Sequence, residues 1–112
     1  CCAPLHQGRP ADSPTALMRS RYAAYSLGLA DYVIVTTDPE GPQWNEDRAA
    51  WQASIAAFHQ ASRFTDLRIL SSGEDSVHFR AGLEQQGQDV SFEEHSRFVL
   101  RDGRWLYHGA PQ

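Results

Sequence analysis

The chain has no long hydrophobic run and no excess of positive charge. No apolar stretch approaches the ~18 residues that a membrane-spanning helix needs, and no signal-peptide pattern is visible. The formal net charge is −4, whereas domains that bind nucleic acid usually carry a basic face. The 112 residues are enough for one hydrophobic core. We therefore expect a single cytoplasmic globular domain whose partners are neither membranes nor nucleic acids.

Cysteines are scarce, and the two that are present, Cys1 and Cys2, are adjacent. Neighbouring cysteines do not form an ordinary structural disulfide, and the chain offers no third cysteine to pair with either. This usage is typical of a reducing compartment. Because the chain starts with Cys rather than Met, we expect further residues upstream.

Familiar catalytic signatures are also missing. The glycines lie in separate predicted turns and form no phosphate-binding loop. The five histidines show no metal-ligand spacing on any one helix or strand. No serine is accompanied by a histidine and an acid in a pattern that the sequence reveals. These absences favour a binding domain over an enzyme of a common hydrolytic type.

The strongest positive pattern lies in residues 77–107, where apolar and polar residues alternate as in half-buried strands. Gln86-Gly87 and Asp102-Gly103 are typical two-residue hairpin turns. Such turns predict the opposed pairs Leu83–Val90, Ala81–Phe92, Phe79–Glu94, Val77–Ser96, Leu100–Trp105 and Phe98–Tyr107. Opposed residues share a face of the sheet, so one face collects nearly every large apolar side chain of three strands. A slip of one residue would expose that set to water, which predicts a firm register.

Glu94 is the anomaly on this apolar face. An unpaired buried carboxylate costs several kcal/mol, so Glu94 should be paired, protonated or at the mouth of a cavity. One hypothesis makes it a general acid or base in a dry pocket. The other makes it the partner of Arg19 or Arg21 on the first long helix. We prefer the ion pair, because structural ion pairs are a common reason for such placements.

Residues 13–28 predict the first long helix. Ser13 is a good N-cap, Pro14 suits the first helical position, and Gly28 marks the end. The apolar residues between them recur at helical spacing. We read residues 3–12 as a linker or irregular arm, because prolines and glycines are frequent there.

Two further helices and one more strand complete the pattern. Residues 32–37 predict a short helix capped by Asp31, although Val33, Ile34 and Val35 also permit a strand. A break follows at residues 38–42, and Asn45 or a neighbour should cap a longer helix over 46–61. Residues 64–71 predict the first strand. Helices followed by antiparallel strands predict an α+β domain, with a curved sheet packed on the helices and a pocket at its open end.

Six short motifs resemble those of the bacterial YchJ-like family over essentially the whole chain. They are Leu17-Met18-Arg19-Ser20-Arg21-Tyr22, Asp31-Tyr32, Thr37-Asp38-Pro39, Val77-x-Phe79-x-Ala81, Glu94-x-Ser96-Arg97-Phe98 and Gly103-Arg104-Trp105-x-Tyr107-x-Gly109. The resemblance implies a nuclear transport factor 2-like fold, a cone of helices and a curved antiparallel sheet. It implies no particular reaction or ligand. Asp38 stands where the family tends to have histidine before the proline.

The resemblance also implies a SEC-C motif, a short zinc-binding segment, ahead of the domain. Residues 1–12 would then be the remnant of that motif and its linker, and residues 13–112 a single cone domain. Cys1 and Cys2 match the motif's final cysteine pair. A structural zinc needs four ligands. We therefore expect no cofactor in this fragment, and zinc only in a longer chain with the complete motif.

Together these observations predict a binding or adaptor domain whose partner is a protein or a small molecule. The alternative is a small-molecule enzyme, similar to isomerases or dehydratases of like fold, with Glu94 as acid or base. The residues expected to contact the ligand are Arg19, Tyr22, Glu94, Ser96, Trp105 and Tyr107.

Overall fold

The computed structural model describes residues 3–109. The helices are α1 (Ala3–His6), α2 (Pro14–Leu27), α3 (Ala30–Val35) and α4 (Arg48–Ala61). The strands are β1 (Arg63–Ser72), β2 (Ser76–Gln85), β3 (Gln88–Asp89), β4 (Phe92–Arg101) and β5 (Arg104–Gly109). They form one antiparallel sheet in the order β1-β2-β4-β5, with the short β3 paired to β2. The predicted α+β architecture, helices against a curved sheet, is confirmed.

The predicted register is confirmed where regular strand pairing extends. The observed partners are Ala81–Phe92, Phe79–Glu94, Val77–Ser96, Leu100–Trp105 and Phe98–Tyr107. Gln86 and Asp102 have φ of 53°, and the glycines that follow them have φ of 78°. Two successive positive φ values match the turn type whose twist suits a hairpin.

The hairpin between β2 and β4 is less regular near Leu83 than we expected. The Val90 N–H still donates to the Leu83 carbonyl at 3.0 Å, but the Leu83 N–H donates to the Ser91 side-chain oxygen at 3.0 Å. The β1–β2 pairing also shifts register twice. Such irregularities bend strands, and bending allows the sheet to curve around α2.

Helix α2 has the predicted ends. The Ser13 hydroxyl accepts a hydrogen bond from the Ala16 N–H at 3.1 Å, and Gly28 closes the helix with φ of 75°. Its two sides pack into two separate hydrophobic clusters. Leu17 and Met18 pack on the sheet with Val77, Phe79, Ala81 and Phe98, whereas Ala24 packs with Val33, Ile34 and Ile55 of α3 and α4. Helix α2 therefore lies between the sheet and helices α3 and α4.

The caps of α3 and α4 differ from the prediction. Helix α3 begins at Ala30 without a side-chain cap, so the assignment of Asp31 as its cap is wrong. Asp31 instead accepts hydrogen bonds from Gln52 at 2.7 Å and Arg48 at 3.3 Å. Asp47 caps α4 by accepting from the Ala50 N–H at 3.0 Å. Over residues 3–109, no helix is long and apolar enough to cross a membrane.

The predicted irregular arm contains the short helix α1. The His6 ring nitrogen Nε2 donates to the Ser20 carbonyl at 2.8 Å, and the ring packs edge-on against Tyr32 at 4.7 Å between centroids. The arm also meets the sheet, because Arg104 donates to the Gly8 carbonyl at 3.3 Å. These tertiary contacts hold an otherwise unfavourable short helix in place.

Candidate functional site

A cavity of about 410 Å³ lies between α2, α4 and the concave face of the sheet. Aromatic rings form much of its wall, namely Tyr22, Tyr25, Trp51, Phe58, Phe64, Phe79, Phe92 and Tyr107. Gln43, Ser54 and Phe92 line the cavity and are also exposed, so they mark its mouth. The cavity is thus open to solvent at one side and largely apolar inside.

Glu94 is a half-buried carboxylate in the cavity wall. Its Oε2 atom accepts a hydrogen bond from the Tyr107 hydroxyl at 2.7 Å and another from the Ser96 hydroxyl. Ser96 is fully buried behind it. Oε1 accepts no hydrogen bond from residues 3–109, and no fully buried side-chain oxygen in that range lacks a partner. One carboxylate oxygen is therefore held in place and the other is reachable.

Tyr107 is a committed hydrogen-bond donor. Burial raises the pKa of its hydroxyl, and the hydrogen bond to Glu94 raises it further. A phenol with a raised pKa keeps its proton at neutral pH. Tyr107 therefore presents O–H to the carboxylate and helps to fix its orientation.

The predicted ion pair between Glu94 and an arginine of α2 is wrong. Arg19 is exposed, and Arg21 turns towards the last turn of α3. Arg21 Nη1 donates to the Val33 carbonyl at 3.0 Å and to the hydroxyls of Thr36 at 2.8 Å and Thr37 at 3.1 Å. Carbonyls in the last turn of a helix lack intrahelical partners, which makes this end of α3 a favourable place for a cation.

Arg21 nevertheless belongs to the site, because it stacks on Tyr107. Its guanidinium carbon lies 4.5 Å from the centroid of the Tyr107 ring, an arrangement that attracts a cation to the ring face. Burial lowers the pKa of Arg21, and Tyr25, Tyr107, Tyr32 and Glu94 oppose that shift. The guanidinium stays charged, since an arginine titrates far above neutral pH.

From the sequence, Arg21 is expected only as a partner of Glu94 and not as a residue of the ligand site. The signal that marks it is its position in the apolar stripe of α2. Arg21 follows Leu17 by four residues and Met18 by three, and precedes Ala24 by three. Such spacing places all four on one helix face. A cation in an apolar helix stripe is as unusual as a carboxylate on an apolar sheet face, so the same reasoning that selected Glu94 also selects Arg21.

Comparison with known proteins identifies the family. The model for "YchJ, middle NTF2-like domain" matches residues 13–110. A UPF0225 protein from Deinococcus radiodurans is 41% identical over 114 aligned positions, which cover all of this chain and 80% of that protein. The chain belongs to the YchJ family.

Two solved structures are similar to this YchJ-type domain. The solution structure of a SEC-C motif-containing protein from Rhodopseudomonas palustris matches with a TM-score of 0.81 and 38% identity, covering 99% of this chain and 88% of the other. The crystal structure of a SEC-C motif-containing protein from Psychrobacter arcticus matches with a TM-score of 0.71 and 19% identity. It covers 100% of this chain and 71% of that one, and shows the fold alone.

The other residues that the sequence pattern predicts as ligand contacts are distributed differently. Tyr22 lines the cavity, and its hydroxyl donates to the Gly82 carbonyl at 2.9 Å. Ser96 lies behind the wall and acts on the cavity only through Glu94. Trp105 lines a separate groove of about 420 Å³ beneath α1. The structure therefore brings Tyr22, Glu94 and Tyr107 together and places Arg19 and Trp105 elsewhere.

Asp38 is the centre of a second cluster. Its buried carboxylate accepts hydrogen bonds from Arg101, from His108 and from the Glu40 N–H. Arg101, the largest influence, helps to lower the pKa of Asp38 to about 2. This cluster ties the loop after α3 to β4 and β5.

The prediction of a metal site depends on Cys1 and Cys2. Over residues 3–109, no group of three or more His, Cys, Asp or Glu side chains is placed to hold a metal ion. Cys1 and Cys2, the predicted zinc ligands, lie outside the described residues. Their role stays a prediction.

Proposed function

We propose that the domain binds a small organic molecule in the cavity between α2, α4 and the sheet. The observation that carries the proposal is the Glu94 carboxylate, which has one oxygen held and the other reachable in a cavity of about 410 Å³. Concave, mostly apolar pockets with a few converging polar groups are the usual form of small-molecule sites. A purely structural Glu94 would instead have both oxygens satisfied in a filled core.

A second candidate function is proton transfer by Glu94. The two hydrogen bonds to Oε2 orient the carboxylate, as general acid–base catalysis requires. Among residues 3–109 the cavity wall contains no histidine and no carboxylate besides Glu94. A reaction that uses these residues would therefore depend on one carboxylate, as in an isomerisation or dehydration. Binding ranks first because it requires only the observed shape and hydrogen-bonding groups.

We extend the proposal to the natural setting of the domain. The Rhodopseudomonas palustris relative, which is 38% identical, contains a SEC-C motif, and this supports an adaptor in which the domain holds the ligand beside such a motif. The scarcity of cysteine in the chain favours the cytoplasm as the setting of this adaptor. Cys1 and Cys2 would be two ligands of its zinc, and the remaining ligands would come from a longer chain. A protein partner would then contact the zinc motif rather than the cavity.

The test is a screen of small aromatic compounds by amide-resonance NMR. We expect ligands to shift resonances of cavity-lining residues. Ser54→Trp at the mouth should abolish these shifts by filling the entrance. Ala53→Trp is the matched control, because Ala53 is exposed next to Ser54 but does not line the cavity. A screen without any ligand at the lining residues, or ligands that bind Ser54→Trp normally, would overturn the proposal.

The catalytic candidate has its own readout. Compounds that bind should exchange a carbon-bound proton for deuterium in heavy water if Glu94 transfers protons. Glu94→Gln should stop this exchange, while Glu93→Gln on the opposite face of the sheet should leave it unchanged. Binding without exchange in the wild-type protein would leave binding as the function.

A further inference from the structure

One edge of the Arg21 guanidinium, formed by Nε and Nη2, makes no hydrogen bond to the described residues. All of its hydrogen bonds to residues 3–109 are made by Nη1, which leaves Nε and Nη2 without a partner in that range. Every fully buried side-chain nitrogen or oxygen among these residues has a hydrogen-bond partner. Nε and Nη2 must therefore border open space. Arg21 is only 5% exposed and lines the cavity, so that space is the cavity.

This edge has a specific chemical complement. The N–H groups of Nε and Nη2 are parallel, and a carboxylate accepts from both at once. A buried cation without a carboxylate partner is costly, and a bound anion would offset that cost. Within residues 3–109 the hydrogen-bond acceptors of Arg21 are all neutral. Glu94 acts on it without a direct ion pair, as the last of the four groups that oppose the lowering of its pKa. The arrangement thus leaves the place of the anion open.

Glu94 contacts the same tyrosine at a different point. Arg21 lies over the face of the Tyr107 ring, whereas Glu94 accepts a hydrogen bond from its hydroxyl. Within residues 3–109 no ion pair joins Arg21 to Glu94. The polar end of the cavity therefore offers a two-point donor edge and, beside it, one acceptor oxygen.

We infer that the ligand is an organic acid with an apolar body and a hydroxyl or ammonium group next to its carboxylate. The carboxylate would bind Nε and Nη2 of Arg21, and the neighbouring donor would bind Oε1 of Glu94. The apolar body would pack among the rings of Tyr25, Trp51 and Phe58. This inference rests on the proposed function, because it names the class of molecule that the same cavity binds.

Other ligand charges fit the cavity less well. A simple amine would satisfy Glu94 but would bring a second positive charge towards Arg21. A dianionic phosphate ester would pair with Arg21 but has no donor for Glu94, and it would bring two further negative charges close to that carboxylate. A molecule with one acid group and one adjacent donor matches both groups, and when that donor is an ammonium the cavity stays electrically balanced.

The test uses three probes with the same phenyl body and titration calorimetry on the full chain. L-Phenylalanine has the carboxylate and the donor, hydrocinnamate has only the carboxylate, and phenethylamine has only the donor. We expect L-phenylalanine to bind about tenfold more tightly than either other probe, which corresponds to about 1.4 kcal/mol. If phenethylamine binds the wild-type protein as tightly as L-phenylalanine or more tightly, the inference is overturned. This comparison requires no variant.

A conservative variant then tests the role of Arg21. Arg21→Lys keeps the charge but removes the two-point edge, so L-phenylalanine and hydrocinnamate should bind about tenfold more weakly and phenethylamine should be unaffected. Arg19→Lys, two residues away on the exposed side of α2, should change nothing. Probes that bind the cavity without preference for the acid would refute this inference alone. If all three probes fail to bind while the NMR screen finds cavity ligands of other chemistry, this inference is refuted and the proposed function stands. If the screen finds none either, both are refuted.

Discussion

Asp38 and Arg101 are 63 positions apart in the chain and form a two-point ion pair. Arg101 Nε lies 2.9 Å from Oδ1 of Asp38, and Nη2 lies 3.2 Å from Oδ2. The side chain of Asp38 is fully buried, whereas that of Arg101 is 41% exposed. His108 Nδ1 adds a contact of 2.9 Å to Oδ2. A buried carboxylate thus fixes the loop after α3 against the last two strands.

Asp38→Asn should lower the free energy of unfolding by about 2 kcal/mol, because it removes a buried charge and leaves its donors imperfectly paired. Urea denaturation measures this loss. Asp75→Asn is the control, since the Asp75–Arg97 pair is long and exposed, at 4.0 Å. It should cost less than about 1 kcal/mol. Equal losses in both variants would show that burial of Asp38 does not matter.

The same carboxylate should make stability depend on acid pH. Its pKa falls from 3.8 to about 2 on folding, with Arg101 as the main cause. A lowered folded-state pKa gives a stabilising contribution that is complete above 3.8 and is lost as the pH falls towards 2. The stability gap between the wild-type protein and Asp38→Asn should therefore narrow over that range. A gap that stays constant with pH would contradict this assignment.

Thr37→Val should destabilise the fold by about 1–3 kcal/mol, because it removes buried hydrogen bonds without changing the volume much. The Thr37 hydroxyl donates to the Val33 carbonyl at 2.7 Å and accepts from Arg21 at 3.1 Å. Thr65→Val in β1 is the control, because Thr65 is exposed. It should stay within about 0.5 kcal/mol of the wild-type protein. Thermal and urea denaturation should both find Thr37→Val less stable than Thr65→Val and the wild-type protein.

Glu94→Gln should lower the free energy of unfolding by about 1–2 kcal/mol, because the hydrogen bonds from Tyr107 and Ser96 lose a charged acceptor. Glu93→Gln is the matched control on the neighbouring position. Glu93 is exposed and lies 3.4 Å from His78, so its replacement should change stability by less than about 0.5 kcal/mol. If Glu94→Gln unfolds at the same urea concentration as the wild-type protein, the two hydrogen bonds do not stabilise the fold.

Gln86→Asn should stabilise the hairpin by roughly 0.5 kcal/mol, because asparagine tolerates positive φ better than glutamine does. Gln86 has φ of 53° and precedes Gly87 in the turn. Gln88→Asn, in the exposed β3, is the control and should not stabilise, since asparagine is disfavoured in strands. A midpoint of urea denaturation below that of the wild-type protein for Gln86→Asn would show that the Gln86 side chain makes stabilising contacts of its own.

The sheet was predictable because its signals are local. The period-two alternation and the dipeptides Gln86-Gly87 and Asp102-Gly103 are enough to place Glu94 opposite Phe79 and Phe98 opposite Tyr107. The helix ends at Ser13 and Gly28 depend equally on neighbouring residues. Asp31 shows the limit of local reasoning, because a good capping residue was drawn to Gln52 and Arg48 from another helix.

By itself the sequence determined which face of the sheet Glu94 occupies and that this face is apolar. The alternation of apolar and polar residues along the strands and the length of the hairpin turns are enough to predict both properties. Only the tertiary structure decided what Glu94 meets. Tyr107 of β5, rather than an arginine of α2, lies beside it, and hydrogen bonds to the end of α3 hold Arg21. Contacts between distant elements depend on how helices cross and how the sheet bends, and these follow from the summed packing of many side chains rather than from any local pattern.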